Sequence, residues 1–337
     1  MGTEKKRLVW AELAQVVSML LVVFHHSTPN YTDVPGTLAA FAGSVHLPAL
    51  AVFFLCSGYF AAGWEKTSYG RYLGRRAARL LIPWVAVSLL MLLPKALLSA
   101  PQARAEMLSP LNLLLSFADP HGCGICPHLW FLPTLFLLSL TVILLRYVAR
   151  SRIASVLVPA ALFALTVPDL PVPTLFCLNE VRLYLFWFAL GYVLGARRLF
   201  ASCGRAVGIG SSVCAVLFGA ASVLLVLYGR SLPVFRALVT VSGAVAILAA
   251  SVALERPLER FTAFFRGKTF LIYLLSLCAQ NFVEVLANRL GVPGSAAFAL
   301  LFVTGLAVPL AIEAVLRAIT VVTKKPLPAF VRYALGL

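Results

Sequence analysis

The chain's first long apolar run is "VWAELAQVVSMLLVVFHHSTP", Val9 to Pro29. It is an apolar run long enough to cross hydrocarbon, and two histidines stand at its far end. Lys5, Lys6 and Arg7 precede it and no small-residue cleavage site follows, so it reads as a retained span rather than a leader. Working outward, the whole chain has the same character. Of 337 residues, 61% are hydrophobic and 12% charged, with a mean hydropathy of +0.95. A soluble core cannot hide that much apolar surface, because a folded protein must still cover its exterior. The solvent is therefore a bilayer, in which backbone groups must pair internally as helices or closed barrels. The runs are unbroken and lack the alternation of barrel strands, which leaves helices.

Ten apolar segments follow: 9–26, 45–63, 80–99, 129–147, 153–168, 182–196, 207–228, 233–254, 269–288 and 296–317. The connection 100–128, with Pro101, Pro110, Pro120 and Pro127, is the long one and is expected to hold a short amphipathic helix. The expected fold is an all-α integral membrane bundle of about ten transmembrane helices, one domain over 1–337. Residues 319–337 read as a short cytoplasmic C-terminal tail. The net charge of +16 could suit nucleic acid, but the basic residues are interleaved with the spans. With the N-terminus inside, 22 of the 28 Lys and Arg residues fall on one side. That asymmetry places both termini in the cytoplasm and excludes a nucleic-acid partner.

On a helix at about 100° per residue, Glu12, Gln15, Met19, Val22 and His26 share one stripe, while His25 points away. His26 stands about 16 Å above Gln15 along the axis. Polar groups aligned on a membrane helix belong in the bundle or in a wet cavity, since lipid penalises them. His25 reads as the wet end of the helix. His26 reads as a general base for an alcohol attacking an acyl carbonyl, because imidazole titrates near neutral pH.

Further blocks extend the pattern. They are "HLPALAVFFLCSGYF" (His46–Phe60), "YLGRRAARLLIPW" (Tyr72–Trp84), "HLWFLPTLF" (His128–Phe136), "FWFALGYVLG" (Phe186–Gly195) and "GKTFLIYLL" (Gly267–Leu275). In order and spacing, with "ELAQVVSMLLVVFHHS" before them, they resemble acyltransferase family 3, polytopic membrane acyltransferases that modify glycans and lipid-linked sugars. The resemblance covers most of the chain. It implies an O-acyltransferase, with acetyl-coenzyme A or another acyl-coenzyme A as donor substrate rather than a permanently bound cofactor. The acceptor it implies is a hydroxyl of a glycan or lipid-linked saccharide, and the location a bacterial inner membrane. His26 becomes the base or a transient acyl carrier, with Glu12 and Gln15 orienting the stripe. The family typically carries an arginine where Gln15 stands, and many members carry a histidine where Ser276 stands.

Arg71, Arg75, Arg76 and Arg79 form a basic cluster beside the third span. They read either as topogenic charge or as contacts for coenzyme A phosphates. The resemblance favours Arg76 and Arg79 as donor contacts, with Arg75 and Trp130 as further candidates. The loop "HGCGICPH" (His121–His128) carries Cys123 and Cys126, whose plainest reading is two free thiols; a bridge ranks second and zinc third. Glu180 and Arg182 could pair or meet a sugar. Glu284, near Gln280 and Asn281, is either functional or an interhelical tie. Two further classes compete with the enzyme: a transporter or flippase whose path the stripe lines, and a catalytically silent family member.

Overall fold

A computed structural model describes residues 8–98, 101–198, 213, 216–220 and 233–335. These residues form helices and turns, with no strand among them. In chain order, α1 (Val9–His25), α2 (Gly36–Ala61) and α3 (Tyr69–Leu98) are followed by two short helices, α4 (Pro101–Met107) and α5 (Pro110–Ala118). Then come α6 (Phe131–Leu140), α7 (Val142–Arg150), α8 (Ala154–Thr166) and α9 (Leu178–Ala196). The chain ends with α10 (Pro233–Ala253), α11 (Glu259–Phe265), α12 (Thr269–Arg289), α13 (Gly294–Thr323) and α14 (Ala329–Leu335).

Among the described residues, six helices are long and apolar enough to cross a bilayer, and α6 with α7 makes a seventh if the bent pair is one span. The apolar helices α1 and α8 are shorter, at 17 and 13 residues. The expected segment 207–228 lies largely outside the described residues. The segment expected at 129–147 is not straight: it bends by 54° at Thr141. Thr141 Oγ1 donates to the Leu138 carbonyl at 2.7 Å, a local bond that competes with the helical ladder. Tyr69 Oη reaches across from α3 to satisfy the neighbouring Leu140 carbonyl at 2.7 Å. The expected tail 319–337 is largely helical, because α13 continues to Thr323 and stops where Lys324 takes φ +51°. The later helix α14 packs back on α3.

Helix α1 is central, touching α2, α10, α11, α12 and α13. The most extensive pair is α2 with α9, and glycine explains how closely they approach. A Cβ on Gly58 would lie 2.0 Å from the Phe188 carbonyl oxygen, and one on Gly191 would lie 1.9 Å from that of Leu55. In lipid, where burial gives helices little driving force to associate, backbone approach of this kind supplies the packing. The outward faces keep their leucines: Leu93 and Leu97 of α3 are 67% and 66% exposed, as a lipid contact requires. Gln280 is buried and structural. Its Nε2 donates to Val23 O at 3.1 Å and Ser27 Oγ at 3.0 Å, tying α12 to α1.

Candidate active site

The α1 stripe lines two cavities. Glu12, Gln15 and Val22 face a cavity of about 380 Å³ whose other walls include Arg76, Arg79, Phe131 and Tyr273. Val22 and His26 face a second cavity of about 210 Å³, shared with His46, His121, His128, Trp130 and Ser276. Val22, Leu50, Phe131 and Tyr273 line both, so one layer of side chains separates an arginine end from a histidine end. Met19 lies on the same stripe but is buried in the core at 1% exposure.

At the arginine end, Arg266 Nε donates to Glu12 Oε2 at 3.0 Å. Arg266 also lines a cavity of about 350 Å³ with Gln15, Arg79 and Thr269, contiguous with the larger one through Glu12, Gln15 and Arg79. A guanidinium from the turn between α11 and α12 therefore stands in the space around Gln15. By sequence alone Arg266 is one of the basic residues interleaved with the spans, whose reading is topogenic charge. The 254-residue separation from Glu12 gives no local signal of the pairing. Arg76 is packed over the Tyr72 ring, 5.7 Å from its centroid, and Arg79 shares its cavity wall. Arg75 is exposed and lines none of these cavities.

At the opposite end all five histidines of the chain converge. His25 is not simply the wet end of α1. Its Nδ1 lies 2.9 Å from the Ala42 carbonyl, and its ring stacks on His46 with centroids 4.1 Å apart. The His26 ring meets both edge-on, at 5.0 Å from His25 and 5.6 Å from His46. His128 sits beneath them, where Tyr273 Oη donates to its carbonyl at 2.7 Å. Trp130, a candidate to line the donor or the acceptor, walls the histidine cavity. Its indole is sandwiched between His121 and Tyr184, at 5.4 Å and 5.6 Å.

His121 is presented by a turn that Asp119 organises. Asp119 Oδ1 accepts from Gly122 N at 3.0 Å, and Oδ2 accepts from Thr174 Oγ1 at 2.9 Å. A Cβ on Gly122 would fall 2.4 Å from Asp119 Oδ2, which explains a glycine directly after the histidine. His121 Nδ1 then meets Glu180 Oε1 of α9 at 2.5 Å. That bond raises the imidazole pKa above its ordinary 6.5, aided by the charge of Glu180 and of Asp119 against partial burial. Of the two readings open for Glu180 and Arg182, the pair with each other is not the one formed. Arg182 is taken by Asn179 Oδ1 at 3.0 Å and the Leu165 carbonyl at 2.7 Å, leaving Glu180 to His121. Cys123 and Cys126 are free thiols, the first exposed and the second buried. Glu284 accepts from the backbone N of Asn30 at 2.5 Å and so fastens the segment after α1.

A helical bundle with one polar axis, cationic at one end and imidazole-rich at the other, defines a polytopic membrane protein built around a buried two-ended site. The family model of the acyltransferase family 3 domain matches residues 8–314, nearly the entire length. The chain belongs to acyltransferase family 3. Comparison with curated proteins and with solved structures gives no match.

Proposed function

We propose that this protein is a bacterial inner-membrane O-acyltransferase. It moves an acyl group, acetyl above all, from acyl-coenzyme A to a hydroxyl of a glycan or lipid-linked saccharide. The observation that carries this reading is the single layer, Val22, Leu50, Phe131 and Tyr273, between the arginine cavity and the histidine cavity. A coenzyme whose phosphates stay with Arg76 and Arg79 needs only its acyl end to pass that layer to reach His26. With both termini cytoplasmic, the arginine end faces the acyl-coenzyme A pool and the histidine end faces the envelope glycans.

In this reading Arg266 supplies the charge that Gln15 lacks. A guanidinium held by Glu12 stands there, and Gln15 beside it contributes a donor and an acceptor without charge. His26 then works at the far end of the same helix face, as the base or as the transient acyl carrier. The test is transfer of radiolabel from [14C]acetyl-coenzyme A into envelope glycans in membranes with and without the protein. His26→Ala should lower transfer by about 10³-fold while the protein stays folded. Full activity in that variant would remove His26 from the chemistry.

A further inference from the structure

The histidine cavity holds more than one imidazole, and they are not equivalent. His121 is paired with a carboxylate. Its Nδ1 meets Glu180 Oε1 at 2.5 Å, and Glu180 is 2% exposed. The other carboxylate oxygen, Oε2, is buried with no hydrogen-bond partner among the described residues. The helix α9 thus keeps a carboxylate out of water for one evident purpose, to hold this ring. The ring itself is half-exposed and walls the same cavity as His26. His26 has no hydrogen bond among the described residues that fixes its tautomer. Nucleophile chemistry runs on the opposite arrangement, an imidazole oriented by a carboxylate at one nitrogen so that the other faces the reacting group.

We infer that His121 is the general base for the acceptor hydroxyl and that Glu180 is its positioning residue, leaving His26 to handle the acyl group. This rests on the acyltransferase reading above. His121 Nδ1–H donates to Glu180, so Nε2 is the nitrogen free to accept. The acceptor oxygen attacks the acyl carbonyl carbon and a C–O bond forms, while the hydroxyl proton passes to His121 Nε2. The bond from that carbon to its carrier breaks, whether the carrier is the thioester sulfur or a His26 ring nitrogen. The carrier leaves with the bonding electron pair and takes up one proton, which His121 releases. No net proton is gained or lost, and no oxidant or reductant is needed.

The experiment uses the full chain in host membrane vesicles that contain their own envelope glycans. [14C]Acetyl-coenzyme A is the donor, and equilibrium binding of coenzyme A is measured beside transfer. His121→Gln should lose about 100-fold or more in transfer with coenzyme A binding unchanged. Glu180→Gln should lose less and should also shift the rising limb of the pH–rate profile downward, because the carboxylate that holds the imidazole pKa up is gone. Glu180→Asp should restore part of both. Transfer by His121→Gln within about threefold of the parent protein overturns the assignment. So does a Glu180→Gln variant whose rate falls while its pH limb stays in place, since that marks a purely structural tie. If the unaltered protein transfers no label, the acyltransferase reading fails and the dyad with it. Transfer that survives loss of His121 sinks the dyad alone.

Discussion

At the scale of single residues, the question that the first helix poses moves from His26 to Gln15. Gln15 is a neutral amide where the resemblance implies an arginine, and Arg266 reaches Glu12 and shares a cavity with Gln15 and Arg79. Arg266→Ala should therefore weaken coenzyme A binding and lower transfer by about tenfold or more, the cost of a lost charge-assisted contact of roughly 1.5–3 kcal/mol. Adding Gln15→Arg to that variant should recover most of the loss. A double variant no better than Arg266→Ala would show that the two positions do not share a role. His121 makes a prediction of opposite slopes. The groups facing it are Glu180 of α9, Asp119 of its own turn and His46 of α2. Its raised pKa means that the His121–Glu180 tie stabilises the fold fully below about pH 6.5 and is lost as pH rises through the raised value. The difference in unfolding temperature between the parent protein and Glu180→Gln should therefore shrink from pH 6 to pH 9, while transfer rises. A difference that is constant over that range would contradict a charged tie.

At the scale of elements, the α2–α9 pair sets the frame on which both cavities hang. Tyr184 of α9 stacks on Phe54 of α2 at 4.3 Å and on Trp130 at 5.6 Å, so movement of α9 disturbs the wall of the histidine cavity. Gly191→Ala forces a methyl against the Leu55 carbonyl. The expected cost is about 1–3 kcal/mol, with a matching fall in the unfolding temperature measured in detergent. An unchanged melting temperature would show that the helices can separate freely. Element by element, apolar runs were legible because lipid imposes one rule on every span. The bend at Thr141 was not, because a threonine in an apolar run looks the same whether or not its hydroxyl takes a carbonyl. The segment expected at 45–63 belongs to a helix that starts at Gly36, within which Ser44 Oγ bonds the Phe41 carbonyl.

At the scale of the whole molecule, the candidate site is a line rather than a pocket. One helix face carries it: Glu12 and Gln15 at one end, Val22 in the middle, His26 at the other. That line was legible from the sequence, since it needs only the period of an α-helix and the cost of polar groups in lipid. What crosses the bundle to meet it was not. Arg266, His46, His121 and Glu180 come from four other segments, and no spacing in the chain announces their convergence. His25 shows the same limit, for its hydrogen bond to Ala42 and its stack on His46 depend on where α2 runs.

In the proposed function an acyl group passes from the arginine end to the histidine end through the layer of Val22, Leu50, Phe131 and Tyr273. Sealed vesicles with the protein in one orientation test it most directly, with [14C]acetyl-coenzyme A on the arginine side and envelope glycan enclosed on the histidine side. Label should appear on the enclosed glycan and be lost in His26→Ala. Val22→Trp, which plugs the shared wall, should lose about 100-fold with coenzyme A binding retained. Label on the glycan only when donor and acceptor share one side, or undiminished label in Val22→Trp, would contradict it.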